Sequence, residues 1–256
     1  MIELQLIGCN GGIGGPGRQT TCYGIGEQIV IDAGTGLGTL SLERLARIDH
    51  VVLTHAHLDH VAGLPLMADS VGAWRDAPLT VWASAEVLAI LQAHLLNDQV
   101  WPDFTRLPSV EEPFIRLQEM PAGGTEIAGY RIAPLPADHG IAACGYRVEA
   151  GDVAIAFSGD TADCSAFWDR LARDAQLAAV VVECSYPASM AAMAELTRHM
   201  HAGQVAARLA ALRDGVAGVV IHRKPGLEDE IAHDLQAAPH GGDLRLPVPG
   251  DVYRFG

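Results

Sequence analysis

The sequence predicts an α/β or α+β layered domain whose sheets carry helices on their outer faces. Two features point there. In the first half, short apolar runs separated by glycine-rich turns read as strands joined in hairpins; in the second, strand and helix signals alternate. The supply of core agrees, since the 256 residues are 49% hydrophobic and 19% charged, enough to fill one domain over residues 1–256.

The opening Ile2-Glu3-Leu4-Gln5-Leu6-Ile7 alternates as a half-buried strand does. Residues 8–18 follow, with glycine at six of eleven positions. No GxGxxG or Walker pattern is completed there, so these glycines read as tight turns at the rim of a site rather than a phosphate cradle. Residues 23–31 read as a hairpin around Gly24 and Gly26, residues 42–47 as a helix and 51–53 as a short buried strand. Further strands are expected at 79–82, 130–133, 145–148, 153–157, 178–182 and 219–221. Helices are expected at 85–96, 166–175, 190–198, 203–212 and 228–235. Pro102, Pro108, Pro113 and Pro121 punctuate residues 101–124, which are expected to be irregular. The apolar Trp101, Phe104, Phe114 and Ile115 argue against a linker there. Residues 101–104, with Leu95 and Leu96 before them, are expected to form a homodimer interface or a lid over the substrate.

Charge narrows the choice of partner. Lys and Arg number 17 against 31 Asp and Glu, a formal net charge of −14, and Lys224 is the only lysine. A long nucleic acid needs a basic footprint that this composition lacks. An anionic substrate must be small and find its positive charge locally, which a bound metal can supply. Cys9, Cys22, Cys144, Cys164 and Cys184 are scattered and never spaced as CxxC, which argues against a disulfide framework or a thiolate zinc site. No run of about 18 apolar residues predicts a membrane span. The opening Met1-Ile2-Glu3 lacks the basic and apolar segments of a secretory signal, so the cytoplasm is the expected compartment.

The chemistry concentrates in Thr54-His55-Ala56-His57-Leu58-Asp59-His60, directly after the buried strand. Three imidazoles and a carboxylate packed this closely point to a metal, with nitrogen ligands suited to Zn, Fe or Mn and a harder oxygen beside them. His55 and His57 point the same way if the extended backbone continues, and Asp59 and His60 follow on the turn into a helix, able to face a second ion. A binuclear site needs ligands from other strand ends on the same edge. His139 follows the run 132–135, Asp160 follows 153–157, and His222 follows Val219-Val220-Ile221.

The string His55-Ala56-His57-Leu58-Asp59-His60 resembles the HxHxDH motif of the metallo-β-lactamase superfamily, and His139, Asp160 and His222 match its remaining ligand positions in order. The resemblance covers essentially the whole chain and implies a four-layer αββα sandwich. It implies one ion on His55, His57 and His139, a second on Asp59, His60 and His222, and Asp160 bridging both. Within that superfamily the chain is most similar to the class II 3′,5′-cyclic-nucleotide phosphodiesterases, through residues 57–64, Asn97-Asp98-Gln99-Val100-Trp101-Pro102-Asp103-Phe104, Ser158-Gly159-Asp160-Thr161, Arg198-His199 and His222-Arg223-Lys224-Pro225-Gly226. Pro65 departs from that family's usual aliphatic residue, at the start of a helix and away from any ligand.

The resemblance implies a binuclear phosphodiesterase opening cyclic AMP or cyclic GMP to the 5′-monophosphate, with a water between two divalent ions (Zn, Mn or Fe) as nucleophile. Asp59 and Asp160 serve that centre. His199 resembles a non-ligand histidine that ribonuclease Z and related phosphodiesterases place near the scissile phosphate, where it can protonate the leaving group. His201 is a weaker candidate. Arg223 and Lys224 either attract the anion or form a solvated loop pair. Asp32 is expected to orient the histidine loop by hydrogen bonding, and Glu183 and Cys184 either support the site or fill core. His50, His94, His233 and His240 lack ligand-like settings. The rivals are a ribonuclease Z-like nuclease, which the acidic balance and single lysine disfavour, a lactonase, an arylsulfatase, a cyclic-phosphate diesterase of phosphonate metabolism, and a metal-binding scaffold without activity.

Overall fold

A computed structural model of the protein describes residues 1–238 and 242–256; His240 lies outside them. In chain order the first half holds β1 (Ile2–Gly8), β2 (Cys22–Ile25), β3 (Ile29–Ile31), α1 (Leu42–Ala46), β4 (His50–Val52), α2 (Leu58–Val61), α3 (Gly63–Val71), β5 (Leu79–Ala83), α4 (Ala85–His94) and β6 (Ile115–Glu119). The second half opens with β7 (Thr125–Ile127), β8 (Tyr130–Pro136), β9 (Cys144–Ala150), β10 (Val153–Phe157), α5 (Ser165–Leu171) and β11 (Leu177–Glu183). It continues through α6 (Ala191–Thr197), α7 (Ala202–Ala210), β12 (Ala217–Ile221), α8 (Glu228–Ala237), β13 (Leu244–Arg245) and β14 (Val252–Phe255). Two seven-stranded sheets result, ordered β14-β1-β2-β3-β4-β5-β6 and β13-β12-β11-β10-β9-β8-β7.

Three apolar clusters separate the layers. The first joins the outer face of the first sheet (Val30, Val51, Val81) to Leu45 of α1, Leu64 and Met67 of α3 and Leu91 of α4. The second lies between the sheets, with Ile29, Ile31 and Val52 facing Val148, Ile155, Phe157 and Val181. The third joins Ala156, Val180, Val182 and Val220 to Phe167 and Leu171 of α5, Val205 of α7 and Ile231 and Leu235 of α8. Alternate residues of one strand therefore enter different clusters, as the two-residue strand period demands. The central strands are covered on both faces, which is why they read as continuous apolar runs. The expected four-layer α/β sandwich is what forms.

Pairing departs from the expectation in one respect. In the first sheet the antiparallel pairs are β14-β1, β1-β2 and β2-β3, while β3-β4, β4-β5 and β5-β6 are parallel. In the second sheet β7 to β10 are antiparallel and β10 to β13 parallel. The stretch 101–124 also contains a strand, β6, where an irregular path was expected. Its residues Arg116, Gln118 and Glu119 leave little apolar signal, and pairing with β5 supplies the order instead. β7 and β13 carry one apolar residue each, and β14, though Val252, Tyr253 and Phe255 are apolar, is only four residues long; all three sit at sheet edges. In the Trp101 segment, Leu96 and Phe104 are buried in the first cluster and Trp101 packs against it half-buried, so core packing accounts for these side chains. Pro65 falls in the first turn of α3, where a proline is tolerated.

Candidate metal centre

The strands β3, β4, β8, β10, β11 and β12 all run toward one edge of the sandwich, and the polar residues after them meet there. Thr54 to His57 form the loop after β4, and Asp59 and His60 lie in the first turn of α2. His139 follows β8, Asp160 follows β10, and His222 directly follows β12. Seven expected residues form two groups, each with ligand atoms within 4.8 Å of one another: His55, His57, His139 and Asp160, then Asp59, His60, Asp160 and His222. Asp160 is common to both. Its Oδ2 lies 3.3 Å from His222 Nε2, 3.4 Å from His60 Nε2 and 3.7 Å from His55 Nε2. Asp59 Oδ2 lies 3.2 Å from His222 Nε2, and His139 Nε2 lies 3.1 Å from His57 Nδ1.

Neighbouring side chains fix these rings. Asp32, fully buried in a left-handed conformation after β3 (φ 58°), accepts from the Thr54 backbone N–H at 2.8 Å and the Thr54 hydroxyl at 2.8 Å. It also pairs with His60 Nδ1 at 2.8 Å, which leaves His60 Nε2 facing the cluster. Thr54 Oγ1 meets His55 Nδ1 at 3.0 Å. Ser185 Oγ meets His222 Nδ1 at 3.0 Å, and the Arg198 carbonyl meets His139 Nδ1 at 3.0 Å. Asp32 thus has the orienting position expected of it. Gly11, in the glycine-rich loop, packs on His222 so closely that a Cβ there would come within 2.5 Å of the His222 carbonyl oxygen. The loop's tight turning is what lets it lie against the centre.

The electrostatics call for a cation. Burial, with His60 beside it, pushes His55 well below the ordinary imidazole value, so that ring is neutral. Its Nε2 is buried without a hydrogen-bond partner, a costly arrangement unless an ion takes the lone pair. Burial works against charge on Asp160, yet the imidazoles of His222 and His60 hold its carboxyl well below the usual carboxylate range. His60 moves the other way: burial lowers it, but Asp160 and Asp32 carry it well above the ordinary value. Protons there occupy the place a metal takes when ligands bind it. Nitrogen and carboxylate donors without thiolate fit a divalent ion of the Zn, Mn or Fe kind.

His199 stands beside the centre, stacked on the His222 ring at 5.4 Å, with its Nδ1 2.8 Å from Glu183 Oε1. Burial lowers its proton affinity, but the Glu183 carboxylate raises it above the ordinary value overall. Glu183 ends β11 fully buried and also accepts from Thr161 N, Ser185 N and Ser185 Oγ. The sequence left Glu183 open between support and core; the structure makes it the anchor of His199 and Ser185. Its one advance signal is a carboxylate ending a strand of otherwise apolar residues. Ser185 and Thr54 carried no such signal. Cys184 belongs to the third apolar cluster.

Other expected residues stand apart. His201 caps α7, its Nδ1 accepting from Gly203 N while Gln204 bonds its backbone N–H. Arg223 is not a solvated loop residue: it is buried and donates to the Pro247 carbonyl at 2.6 Å. No helix among the described residues is long and apolar enough to cross a membrane.

The family described as "Beta-lactamase superfamily domain" matches residues 27–222. A probable 3′,5′-cyclic-nucleotide phosphodiesterase of Yersinia pestis is 29% identical over 162 residues, 56% of this chain and 45% of that protein. A ribonuclease Z of Clostridium kluyveri is 28% identical over 160 residues, 58% of this chain and 49% of that enzyme. Each match thus spans about half the length of its relative. Among solved structures, the metallo-β-lactamase fold protein YhfI from Bacillus subtilis superposes with a TM-score of 0.78 at 17% identity, over 98% of both chains. The family match includes all seven clustered side chains. The chain therefore belongs to the β-lactamase superfamily, with the metallo-β-lactamase fold.

Proposed function

We propose that the chain is a metal-dependent phosphodiesterase that opens 3′,5′-cyclic nucleotides to 5′-monophosphates. The observation that carries this reading is His199, an imidazole beside both ligand groups whose Nδ1 is already committed to Glu183. His55, His57 and His139 would hold one ion, Asp59, His60 and His222 a second, with Asp160 between them. Bound there, the ions supply Lewis-acid activation of a phosphoryl oxygen and of water.

The chain's own side chains do the rest. Asp32 and Ser185 hold His60 and His222 in fixed orientations, so the ligand set is formed in advance. Glu183 keeps the proton on His199 Nδ1, and with Nε2 also protonated that atom can donate to the departing ribose oxygen. Glu183 then stabilises the ring in either charge state, and the proton is restored from the open cleft beside His199. A net charge of −14 with one lysine favours a small phosphodiester over a long polyanion. A ribonuclease Z-like activity is the second reading, supported by the 28% identity to the Clostridium kluyveri enzyme.

The test is to incubate metal-reconstituted protein with cyclic AMP, cyclic GMP, bis(p-nitrophenyl) phosphate, a homoserine lactone and precursor tRNA. Release of 5′-monophosphate is expected. Lactone opening with no turnover of any phosphodiester overturns the proposal, and cleavage of tRNA alone replaces it with the second reading.

A further inference from the structure

We infer that the cleft beside His199 receives a nucleotide's base and that Glu195 reads a guanine there; this rests on the phosphodiesterase reading. The cleft measures about 880 Å³, within the range of small-molecule sites, and its lining includes Ala191, Ala192, Glu195, Leu196, His199 and Gln204. His199 lines it, so the ribose that bears the departing oxygen, and with it the base, is directed into this cleft.

The wall has two distinct characters. Ala191 and Ala192 leave room on α6, and Leu196 is the most exposed large apolar side chain among the described residues, at 77%. An aliphatic side chain held out into water beside a catalytic histidine offers a surface to the flat face of an aromatic base. The polar groups in the same wall are mostly spoken for. Arg198 is paired with Asp138, His201 caps α7, and the Gln204 carbonyl accepts from the His201 backbone. The Glu195 carboxylate is the exception, with no hydrogen bond or ion pair among the described residues.

A free carboxylate is a strange neighbour for a phosphate site unless the ligand brings donors to it. Both carboxylate oxygens accept and neither donates. Guanine presents N1–H and an N2 amino hydrogen side by side, one donor for each oxygen. Adenine offers one amino hydrogen next to the N1 lone pair, which would face a carboxylate oxygen repulsively. The same carboxylate disfavours a second phosphate running along the cleft, as a polynucleotide would require.

The test measures binding of 5′-GMP and 5′-AMP to zinc-reconstituted protein by titration calorimetry, alongside kcat/KM for cyclic GMP, cyclic AMP and bis(p-nitrophenyl) phosphate. GMP is expected to bind about tenfold more tightly than AMP, the scale of one hydrogen-bonded charged group at a half-open site. Glu195→Gln should bring the two within about twofold by weakening GMP, with bis(p-nitrophenyl) phosphate turnover unchanged. Leu196→Ser should weaken both nucleotides alike. Equal affinities in the unaltered protein, or a preference that survives Glu195→Gln, overturns the base site. Absence of hydrolysis of every phosphodiester, with the GMP preference and its Glu195 dependence intact, defeats the phosphodiesterase reading and upholds the base site.

Discussion

An Asp32→Asn substitution preserves side-chain size and, at φ 58°, a backbone conformation that asparagine adopts readily. What it alters is the pattern of donors. Oδ1 of Asp32 accepts from the Thr54 N–H at 2.8 Å, and Oδ2 accepts from the Thr54 hydroxyl and faces His60 Nδ1, both at 2.8 Å. The asparagine oxygen must stay on the Thr54 N–H, because an amide NH2 there would oppose another donor. Its NH2 then takes the Oδ2 position, and His60 Nδ1 must accept rather than donate. The ring proton moves to Nε2, the atom that faces Asp160 and His222, and no lone pair remains there for a metal. One hydrogen bond to a charged acceptor is lost, about 1.5–3 kcal/mol. Ion affinity should fall about 10–100-fold, the usual effect of removing a ligand's orienting partner. The assay is two-site metal titration against a competing chelator. One of the two equivalents should weaken by that factor, while the His55/His57/His139 equivalent changes less than about threefold. Two equivalents bound as tightly as in the unaltered protein would refute the tautomer argument.

Four further outcomes are expected. His199→Ala should lower kcat by about 10²–10⁴ with metal content unchanged; unaltered turnover removes His199 from the reaction. Gly11→Ala, whose Cβ would meet His222 Nδ1 at 2.9 Å as well as its carbonyl oxygen, should weaken the second ion about tenfold without touching a ligand, and metal titration reads this directly. Tyr146→Phe removes a buried hydroxyl that donates to the Leu53 carbonyl at 2.9 Å, tying β9 to the loop that carries Thr54. It should cost about 1–3 kcal/mol in urea unfolding, and a change below about 0.5 kcal/mol would show the carbonyl finds another donor. Burial pushes the Cys9 thiol up to about 12 and the Cys144 thiol to about 11. With Cys22 and Cys184 also buried, no more than one thiol, Cys164, should react promptly with Ellman's reagent at pH 8, and all five after denaturation.

The layers were legible because burial on two faces leaves a plain record. Val153 to Phe157 was bounded correctly, since every position from Ala154 onward is buried and its apolar run is unbroken. β6 was not, because Arg116, Gln118 and Glu119 interrupt its pattern and pairing alone orders it. Parallel pairing of β3 through β6 was equally hidden: strand order depends on where intervening helices pack, and no local spacing records that.

The candidate centre shows the same division. A metal site was written in the chain itself, because three histidines and an aspartate within six residues, and three more histidine or aspartate residues each following an apolar strand, are local patterns. What only the folded chain decided is which atoms face each other. Asp32 and His60 are 28 residues apart and meet because β3 and β4 run parallel to one edge, whereas Glu183 and His199 are 16 apart and meet because α6 returns the chain to the end of β11. Local sequence sets the kind of donor and the period of burial; the direction and partner of a buried polar atom are set by packing between distant segments.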